Sequence, residues 1–90
     1  ETLDKYNFTK GFWGTNGISV TKGFSTPEVK EAMVKKHSIE NCKKCYILAD
    51  PSKFDQMSSV KFADFDQATI LTTGLLKPAL KKYKNIVEVK

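Results

Sequence analysis

The sequence has 90 residues, a net charge of +5, 40% hydrophobic residues and 28% charged residues. A chain of this length forms at most one domain with a modest core, and the composition is ordinary for a soluble globular protein. No apolar run approaches the roughly 18 residues that span a bilayer, and no signal-peptide pattern opens the chain. We therefore expect a soluble, cytoplasmic protein with no membrane partner.

The positive charge comes from lysine, because the sequence contains no arginine. Arginine is the usual bidentate reader of phosphate and guanine, and the lysines are scattered rather than clustered. The lysines therefore predict a solvated surface rather than a DNA-binding one. Cys42 and Cys45 supply half of a zinc site at most and precede a strand instead of following one, so we predict two reduced thiols, with no metal, redox or cofactor site.

The start of the chain combines a polar segment with short extended pieces. Residues 1–9 are polar and unpatterned and lack an initiator Met, so we expect a frayed start and a fragment of a longer protein. The apolar segment Gly11–Gly14 predicts a buried strand. After a turn at Asn16-Gly17, the alternation of Ile18 and Val20 predicts a second extended piece, in a loop that Gly23-Phe24 closes.

One helix is predicted from its start signal. The segment Ser25-Thr26-Pro27-Glu28 offers two starts: a capping box from Ser25 to Glu28, or Thr26 as N-cap with Pro27 at the first helical position. Val29, Ala32 and Met33 follow at helical spacing and predict the buried face of this helix.

The second half of the sequence has the order of predicted strands and helices that is typical of an α/β protein. The apolar run Cys45–Ala49 predicts a parallel strand covered on both faces, and Asp50-Pro51 stops it. Further elements are predicted in this order: a strand at Val60–Phe62, a capped turn at Asp64–Ala68, a strand at Thr69–Thr73, a helix at Lys77–Lys84 with Leu76, Leu80 and Tyr83 facing inward, and a strand at Ile86–Val89. Alternating strands and helices predict a mostly parallel sheet.

Ligands of such sheets bind outside the carboxyl ends of the strands. The candidate ligand-binding residues lie in three loops there: Asn16, Gly17, Thr26, Glu28, Asp50, Ser52 and Lys53. A helix N-terminus and the Lys53 cation suit an anion, and the amide and carboxylates suit hydroxyl groups. The set therefore fits a phosphorylated sugar and requires no catalysis. An ordinary strand exit and an ordinary helix cap are the alternative interpretation of the same residues.

Three blocks of sequence, Gly14–Ser19, Gly23–Glu28 and Ile47–Phe54, resemble the sensor domain of DeoR-type bacterial transcriptional repressors, most closely those of lactose phosphotransferase operons. The resemblance runs from about Lys10 to Val89. It implies a Rossmann-like fold akin to ribose-5-phosphate isomerase and CoA transferases, of which residues 1–90 form the second half. It also implies a phosphorylated sugar effector, a homo-oligomer, and an absent N-terminal helix-turn-helix that binds operator DNA.

The resemblance to isomerases raises an enzymatic alternative. Their Asp-x-Ser-Lys block places a lysine at the substrate, so the resemblance implies that Lys53 contacts the ligand, and Glu28 loosely matches their catalytic acid. Asn16 stands where those enzymes have carboxylates, and an amide cannot act as a general base. A sensor without catalytic residues is therefore favoured over a sugar-phosphate isomerase. Thr9 and Thr72-Thr73 depart from the repressor pattern.

Overall fold

The structure, a computed structural model, describes residues 8–74 and 77–89. The elements in chain order are β1 (Phe8–Gly14), β2 (Gly17–Ser19), β3 (Gly23–Thr26), α1 (Val29–Glu40), β4 (Cys42–Ala49), β5 (Val60–Ala63), β6 (Thr69–Thr72) and β7 (Ile86–Glu88). Single 3₁₀ turns are formed by Pro51–Lys53, Phe65–Gln67 and Pro78–Leu80.

The strands form two sheets. β1, β4, β6 and β7 pair in this order in a parallel sheet, and β2, β3 and β5 form an antiparallel sheet beside it. The predicted α/β class with a mostly parallel sheet is thus confirmed. The strands predicted at Gly11–Gly14 and Cys45–Ala49 are longer than expected, because β1 begins at Phe8 and β4 at Cys42.

The core lies between one face of the parallel sheet and a second layer made of α1 and the antiparallel sheet. Ile47 of β4 and Ile70 of β6 are directly paired and fully buried, as are Ile18 and Phe24 of the antiparallel sheet. Each of these side chains contributes about 1.5–3 kcal/mol through its burial. Leu48, whose side chain alternates to the other face of β4, is half-exposed. The described residues therefore cover β4 on one face, where both faces were predicted to be covered.

The antiparallel sheet was not predicted as a unit. Gly23 and Phe24, expected to close a loop, begin β3, and Phe24 pairs with Ala63 of β5. Gly23 has a φ of +86°, and a Cβ on it would collide with the Ala63 carbonyl oxygen. Glycine is therefore required where the turn after β2 enters β3.

The predicted helix start, with Ser25 or Thr26 as the N-cap, is two or three residues too early. Ser25 and Thr26 belong to β3, where Thr26 pairs with Val60, and Pro27 further disfavours helical backbone at Thr26. Glu28 is the N-cap with extended backbone and makes no side-chain capping bond. Neither the capping box nor the Thr26 cap is formed, because the sheet ladder holds this segment extended.

The buried face of α1 also differs from the prediction. Ala32 and Ile39 are buried, and Lys35 lies between them with a side chain only 17% exposed, while Val29 and Met33 are mostly exposed. The aliphatic stem of a lysine can pack like an apolar side chain. The covered face of α1 therefore includes Lys35, whereas the prediction considered apolar residues only. None of the helices in the described ranges has the length and apolar character needed to cross a membrane.

The carboxyl-terminal helix predicted at Lys77–Lys84 is a single 3₁₀ turn, Pro78–Leu80. Leu80 is buried as expected and Tyr83 is half-buried, while Leu76 lies outside the described residues. The chain must return to the sheet at once, because the Asn85 carbonyl oxygen accepts a bond from Ile70 N at 2.6 Å. So short a segment gains too few hydrogen bonds to offset helix nucleation. Residues 1–7 also lie outside the described residues, and Phe8 and Thr9 belong to β1.

The two cysteines both lie in β4, which corrects the prediction that they precede the strand. The Cys45 thiol donates to the Ile39 carbonyl oxygen at 3.6 Å. Burial, together with the neighbouring Cys42, raises the pKa of Cys45 to about 11. Cys45 is therefore a protonated thiol at neutral pH, and a thiol in this state is a poor nucleophile and metal ligand.

Candidate functional site

The carboxyl ends of β1, β4 and β6 meet at one edge of the parallel sheet, as the parallel pairing of Gly14 with Leu48 and of Ala49 with Thr72 requires. This edge is where open parallel sheets hold their ligands. The chain leaves it through three segments: Thr15-Asn16 after β1, Asp50–Asp55 after β4 and Thr73-Gly74 after β6. We call Asp50–Asp55 the β4 loop.

The β4 loop is ordered at its start by Asp50. The Asp50 carboxylate accepts hydrogen bonds from the Ser52 hydroxyl and, at 2.9 Å, from Ser52 N. Pro51 fixes the first position of the 3₁₀ turn that follows. The two bonds from Ser52, the side-chain bond first, lower the pKa of Asp50 below its ordinary value, because they stabilise the charged form. Asp50 is therefore a permanent anion at neutral pH.

The end of the β4 loop is attached to the antiparallel sheet. Phe54 is buried and forms a parallel bridge with Ile18, and Asp55 N donates to the Ile18 carbonyl oxygen at 2.8 Å. Asp55 itself has a φ of +65°. With both ends attached, the loop presents Lys53 from a defined backbone.

Lys53 lines an open cleft of about 460 Å³. The other lining residues are Leu48, Ala49, Asp50, Leu71, Thr73 and Val89. The volume lies within the range of small-molecule sites, and the lining joins apolar side chains to one cation, one carboxylate and one hydroxyl. Such a lining can hold an anionic polyol, with the lysine on its anionic group and the other polar groups on hydroxyls.

A second polar cluster lies after β1. The Thr26 hydroxyl, fully buried, lies 3.3 Å from Asn16 Oδ1 and 3.0 Å from Glu31 Oε1. Lys35 Nζ lies 3.5 Å from Glu31 Oε1 and donates to the Gly14 carbonyl oxygen at 2.9 Å. We call Asn16, Thr26, Glu31 and Lys35 the β1 cluster. It fixes the first half of α1 against the carboxyl end of β1.

The predicted site residues thus fall into two groups at the same edge. Asp50, Ser52 and Lys53 belong to the β4 loop, and Asn16 and Thr26 to the β1 cluster. Gly17 is buried in β2, and a Cβ on it would collide with the Gln56 carbonyl oxygen, so its backbone contacts the chain after the β4 loop. Glu28 is exposed at the start of α1.

The sequence analysis did not identify Glu31 and Lys35 of the β1 cluster. It also did not identify the residues that line the cleft opposite the β4 loop. The spacing of Glu31 and Lys35, four residues apart with the acid first, is the signal of a helical ion pair and was available. No local pattern indicated Leu71, Thr73 and Val89, because they reach the cleft through strand order.

Another cleft, of about 380 Å³, lies between α1 and the turn after β5. Its lining mixes Lys36 and Lys61 with Glu40 and Asp64, and Lys61 pairs with Asp64 at 2.5 Å. These charges are largely compensated, and the cleft lies away from the carboxyl ends of the parallel strands. The cleft beside Lys53 is therefore the better candidate site.

Comparison with known proteins gives a family match and several relatives. Residues 1–74 match the model of the family described as the DeoR C terminal sensor domain. The match ends before Val89, to which the sequence resemblance was extended.

The relatives are regulators of greater length. The chain is 42% identical over 88 residues to the uncharacterized HTH-type transcriptional regulator FruR of Bacillus subtilis, covering 98% of this chain and 35% of the relative. It is 37% identical over 72 residues to the regulator IolR of the same organism (80% and 29%) and 34% identical over 71 residues to the regulator GlpR of Haloferax volcanii (79% and 28%). The chain thus spans about a third of the length of these relatives.

Proposed function

The chain belongs to the DeoR C-terminal sensor domain family, and on that premise we propose that it senses a small-molecule effector for a transcriptional regulator of sugar metabolism. The relatives named above are all HTH-type transcriptional regulators, which supports this role. The helix-turn-helix that binds operator DNA then belongs to the part of the polypeptide outside this chain. The regulator acts in the cytoplasm, where its operator lies, and is a homo-oligomer.

The effector is a phosphorylated sugar. The observation that carries this assignment is the cleft beside Lys53, which combines a cation with the Asp50 carboxylate, the Thr73 hydroxyl and apolar walls. Lysine binds phosphate as a mobile point charge. The Asp50 carboxylate and the Thr73 hydroxyl can form hydrogen bonds with sugar hydroxyls. The cleft is open, so residues outside this chain complete the binding of the phosphate.

The proposed mechanism is a linkage between effector and operator binding. A ligand bound to Lys53 favours one position of the β4 loop. The loop is attached to β2 through the hydrogen bond from Asp55 N to the Ile18 carbonyl oxygen. An effector that binds one arrangement of these elements more tightly shifts the equilibrium of the full-length protein toward that arrangement. Operator DNA is released when that arrangement binds it less well.

A sugar-phosphate isomerase is the alternative, and three observations favour a sensor. The Asp50 carboxylate has a lowered pKa, and a general base is most effective with a pKa near the working pH. Glu28 is exposed at the start of α1, outside the cleft beside Lys53. The amide of Asn16 is no base at all. We therefore propose a site that binds without turning over its ligand.

The test is a titration of the full-length protein bound to its operator. A ketohexose phosphate, an aldose phosphate, the two unphosphorylated sugars and inorganic phosphate are each added, with calorimetry for binding, fluorescence anisotropy for operator release and chromatography for sugar conversion. Binding of a phosphorylated sugar that releases the operator and leaves the sugar unchanged supports the proposal. Conversion of the sugar, or operator binding indifferent to all five compounds, contradicts it.

A further inference from the structure

The antiparallel sheet has one open edge in the part of the chain that the structure describes. β3 lies in its middle, and the outer edge of β2 is joined to the β4 loop through the bridge between Ile18 and Phe54. β5 lies at the other edge and, among the described elements, pairs with β3 alone. An edge strand presents backbone N–H and C=O groups that can pair with a further strand. Another strand can therefore be added beside β5.

The cleft of about 380 Å³ beside α1 runs along this open edge. All four residues of Lys61–Asp64 line it, and Lys36 and Glu40 of α1 form the opposite wall. Successive side chains of a strand point to opposite faces. A cleft that touches four consecutive residues therefore follows the edge of β5 rather than one of its faces. We call the edge of β5 and this flank of α1 together the β5 edge.

The β5 edge carries charges that one copy of the chain pairs poorly. Lys36 precedes Glu40 by four residues, which is the less favourable order for a helical ion pair. Neither residue forms an ion pair within residues 8–74 and 77–89. Lys61 and Asp64 do pair with each other, but both side chains are at least half-exposed, and an exposed pair contributes little to stability. The helix and the strand thus each contribute one lysine and one acid.

We propose that the β5 edge is the contact between two copies of this chain, related by a two-fold axis, in the homo-oligomer on which this inference rests. With the axis between Phe62 and Ala63, two β5 strands run antiparallel and join two three-stranded sheets into one. Lys61 then lies opposite the partner's Asp64. A lysine on an edge strand hinders pairing with another strand, and this acid removes the hindrance.

The same axis pairs the charges of α1. Lys36 and Glu40 line the same cleft as Lys61 and Asp64, so an axis through the middle of β5 passes close to both pairs and brings Lys36 near the partner's Glu40. Met33, 66% exposed, lies on this flank of α1 one turn before Lys36 and adds apolar surface to the contact.

The charge pattern favours a second copy over another extended peptide. A two-fold contact brings the same patch of both copies together, so it is stable only if the patch complements itself. The β5 edge meets this condition, because each of its lysines finds an acid on the partner. Complementarity of this kind fixes the register of a contact and excludes other partners. A peptide with charges of one sign leaves half of the patch unpaired.

Charge complementation in the full-length protein tests the contact. A negative variant carries Lys36→Glu and Lys61→Glu, and a positive variant carries Glu40→Lys and Asp64→Lys. Each variant gives the β5 edge four charges of one sign, so two copies of the same variant repel each other, whereas one copy of each attract. The repulsion within each chain is the same alone and in the mixture. Recovery on mixing therefore measures contacts between chains only.

Sedimentation velocity over a range of protein concentrations reads the result. Lys22→Glu with Lys30→Glu is the control, because it makes the charge change of the negative variant at two exposed lysines outside the cleft. We expect the control to keep the size of the unmodified oligomer. Each variant alone forms a smaller species, with association between copies weakened at least about tenfold, and an equimolar mixture returns to the unmodified size.

The outcomes separate this inference from the proposed homo-oligomer. Variants that keep the size of the unmodified oligomer, or a mixture that fails to restore it, overturn the β5 contact and leave the homo-oligomer standing. An unmodified protein that is monomeric at every concentration overturns both. Circular dichroism shows whether each variant is folded. If a double variant is unfolded, Lys61→Glu and Asp64→Lys, alone and mixed, provide the same comparison with one charge reversal in each chain.

Discussion

The Thr26 hydroxyl lies 3.0 Å from the Glu31 carboxylate, and this contact joins the end of β3 to the first turns of α1. A hydroxyl has one proton, and the charged carboxylate is a stronger acceptor than the Asn16 amide oxygen 3.3 Å away. The contact replaces the helix cap expected of Thr26. It also holds Glu31 where the carboxylate meets Lys35, so one buried hydroxyl orders the β1 cluster.

Removal of this hydroxyl has a defined cost. Thr26→Val preserves the shape of a fully buried side chain but removes the hydroxyl that bonds Glu31 Oε1, so that the carboxylate keeps only Lys35 as a partner. We expect a loss of about 1–2 kcal/mol in the free energy of unfolding. Urea unfolding of the full-length protein measures it. Thr21→Val, in an exposed turn, is the control and is expected to be neutral. Equal effects of the two variants would show that the Thr26 contact contributes nothing.

Lys35 is expected to stabilise the fold despite its charge. Its ammonium group donates to the Gly14 carbonyl oxygen, lies beside Glu31 and sits 5.1 Å from the centre of the Phe62 ring. Lys35→Met keeps the packing of the stem and loses these contacts, at a cost of about 1–2 kcal/mol. Lys36→Met, its exposed neighbour, changes stability by less than about 0.5 kcal/mol. Thermal unfolding in the same buffer compares them. A Lys35 variant as stable as the Lys36 variant would refute the role.

The role of Gly17 is separable from ligand binding. A Cβ on Gly17 meets the backbone of Gln56 and Ser25 Oγ, whereas a Cβ on Gly14 meets nothing within 4 Å. We expect Gly17→Ala to cost about 1–3 kcal/mol through overpacking and Gly14→Ala to be close to neutral. Denaturation midpoints of the two variants test this. Should Gly17→Ala weaken effector binding with no loss of stability, Gly17 is a ligand contact after all.

The order of the β4 loop depends on pH through Asp50. Its pKa is lowered in the folded state, so its contribution to stability is fully present above the unfolded-state pKa near 3.8 and is lost as pH falls through the lower folded value. In Ser52→Ala the carboxyl loses its hydroxyl donor and keeps the backbone donor, so its pKa should rise toward the ordinary value. Carbon-13 NMR titration of the Asp50 carboxyl measures this pKa in the unmodified protein and in Ser52→Ala. An unchanged pKa in the variant would rule out the Ser52 side chain as the cause.

Sequence patterns predicted those elements whose signals are local. The apolar run through Ile47 predicted β4, and Asp50-Pro51 predicted where it stops, because a cap and a fixed φ act within a few residues. The capped turn after β5 was also correct, with Gln67 Oε1 accepting from Asp64 N at 2.6 Å. The position of Lys53 in the loop after β4 was predicted for the same reason, because the end of that strand is marked in the sequence.

The predictions of the start and the buried face of α1 were wrong because both depend on contacts between residues far apart in the sequence. Ser25 and Thr26 have an excellent local signal for a helix start, but pairing with β5, more than thirty residues away, holds them in a strand. The buried face of α1 was misread because Lys35 is largely covered through its contacts with Gly14 and Phe62, which no spacing within the helix reveals. Tertiary contacts override propensity in both cases.

The most direct test of the sensor site is Lys53→Met in the full-length protein. The half-buried stem of Lys53 is matched by Met, so the fold is preserved while the cation beside the cleft is lost. Lys30→Met, which removes an exposed lysine from α1, is the control. Effector affinity is measured by calorimetry and operator release by fluorescence anisotropy with the same sugar phosphate. We predict about 10–100-fold weaker effector binding and a matching rise in the concentration that releases the operator for Lys53→Met alone. A Lys53→Met protein that binds and responds like the control would contradict the assignment of the cleft beside Lys53 as the effector site.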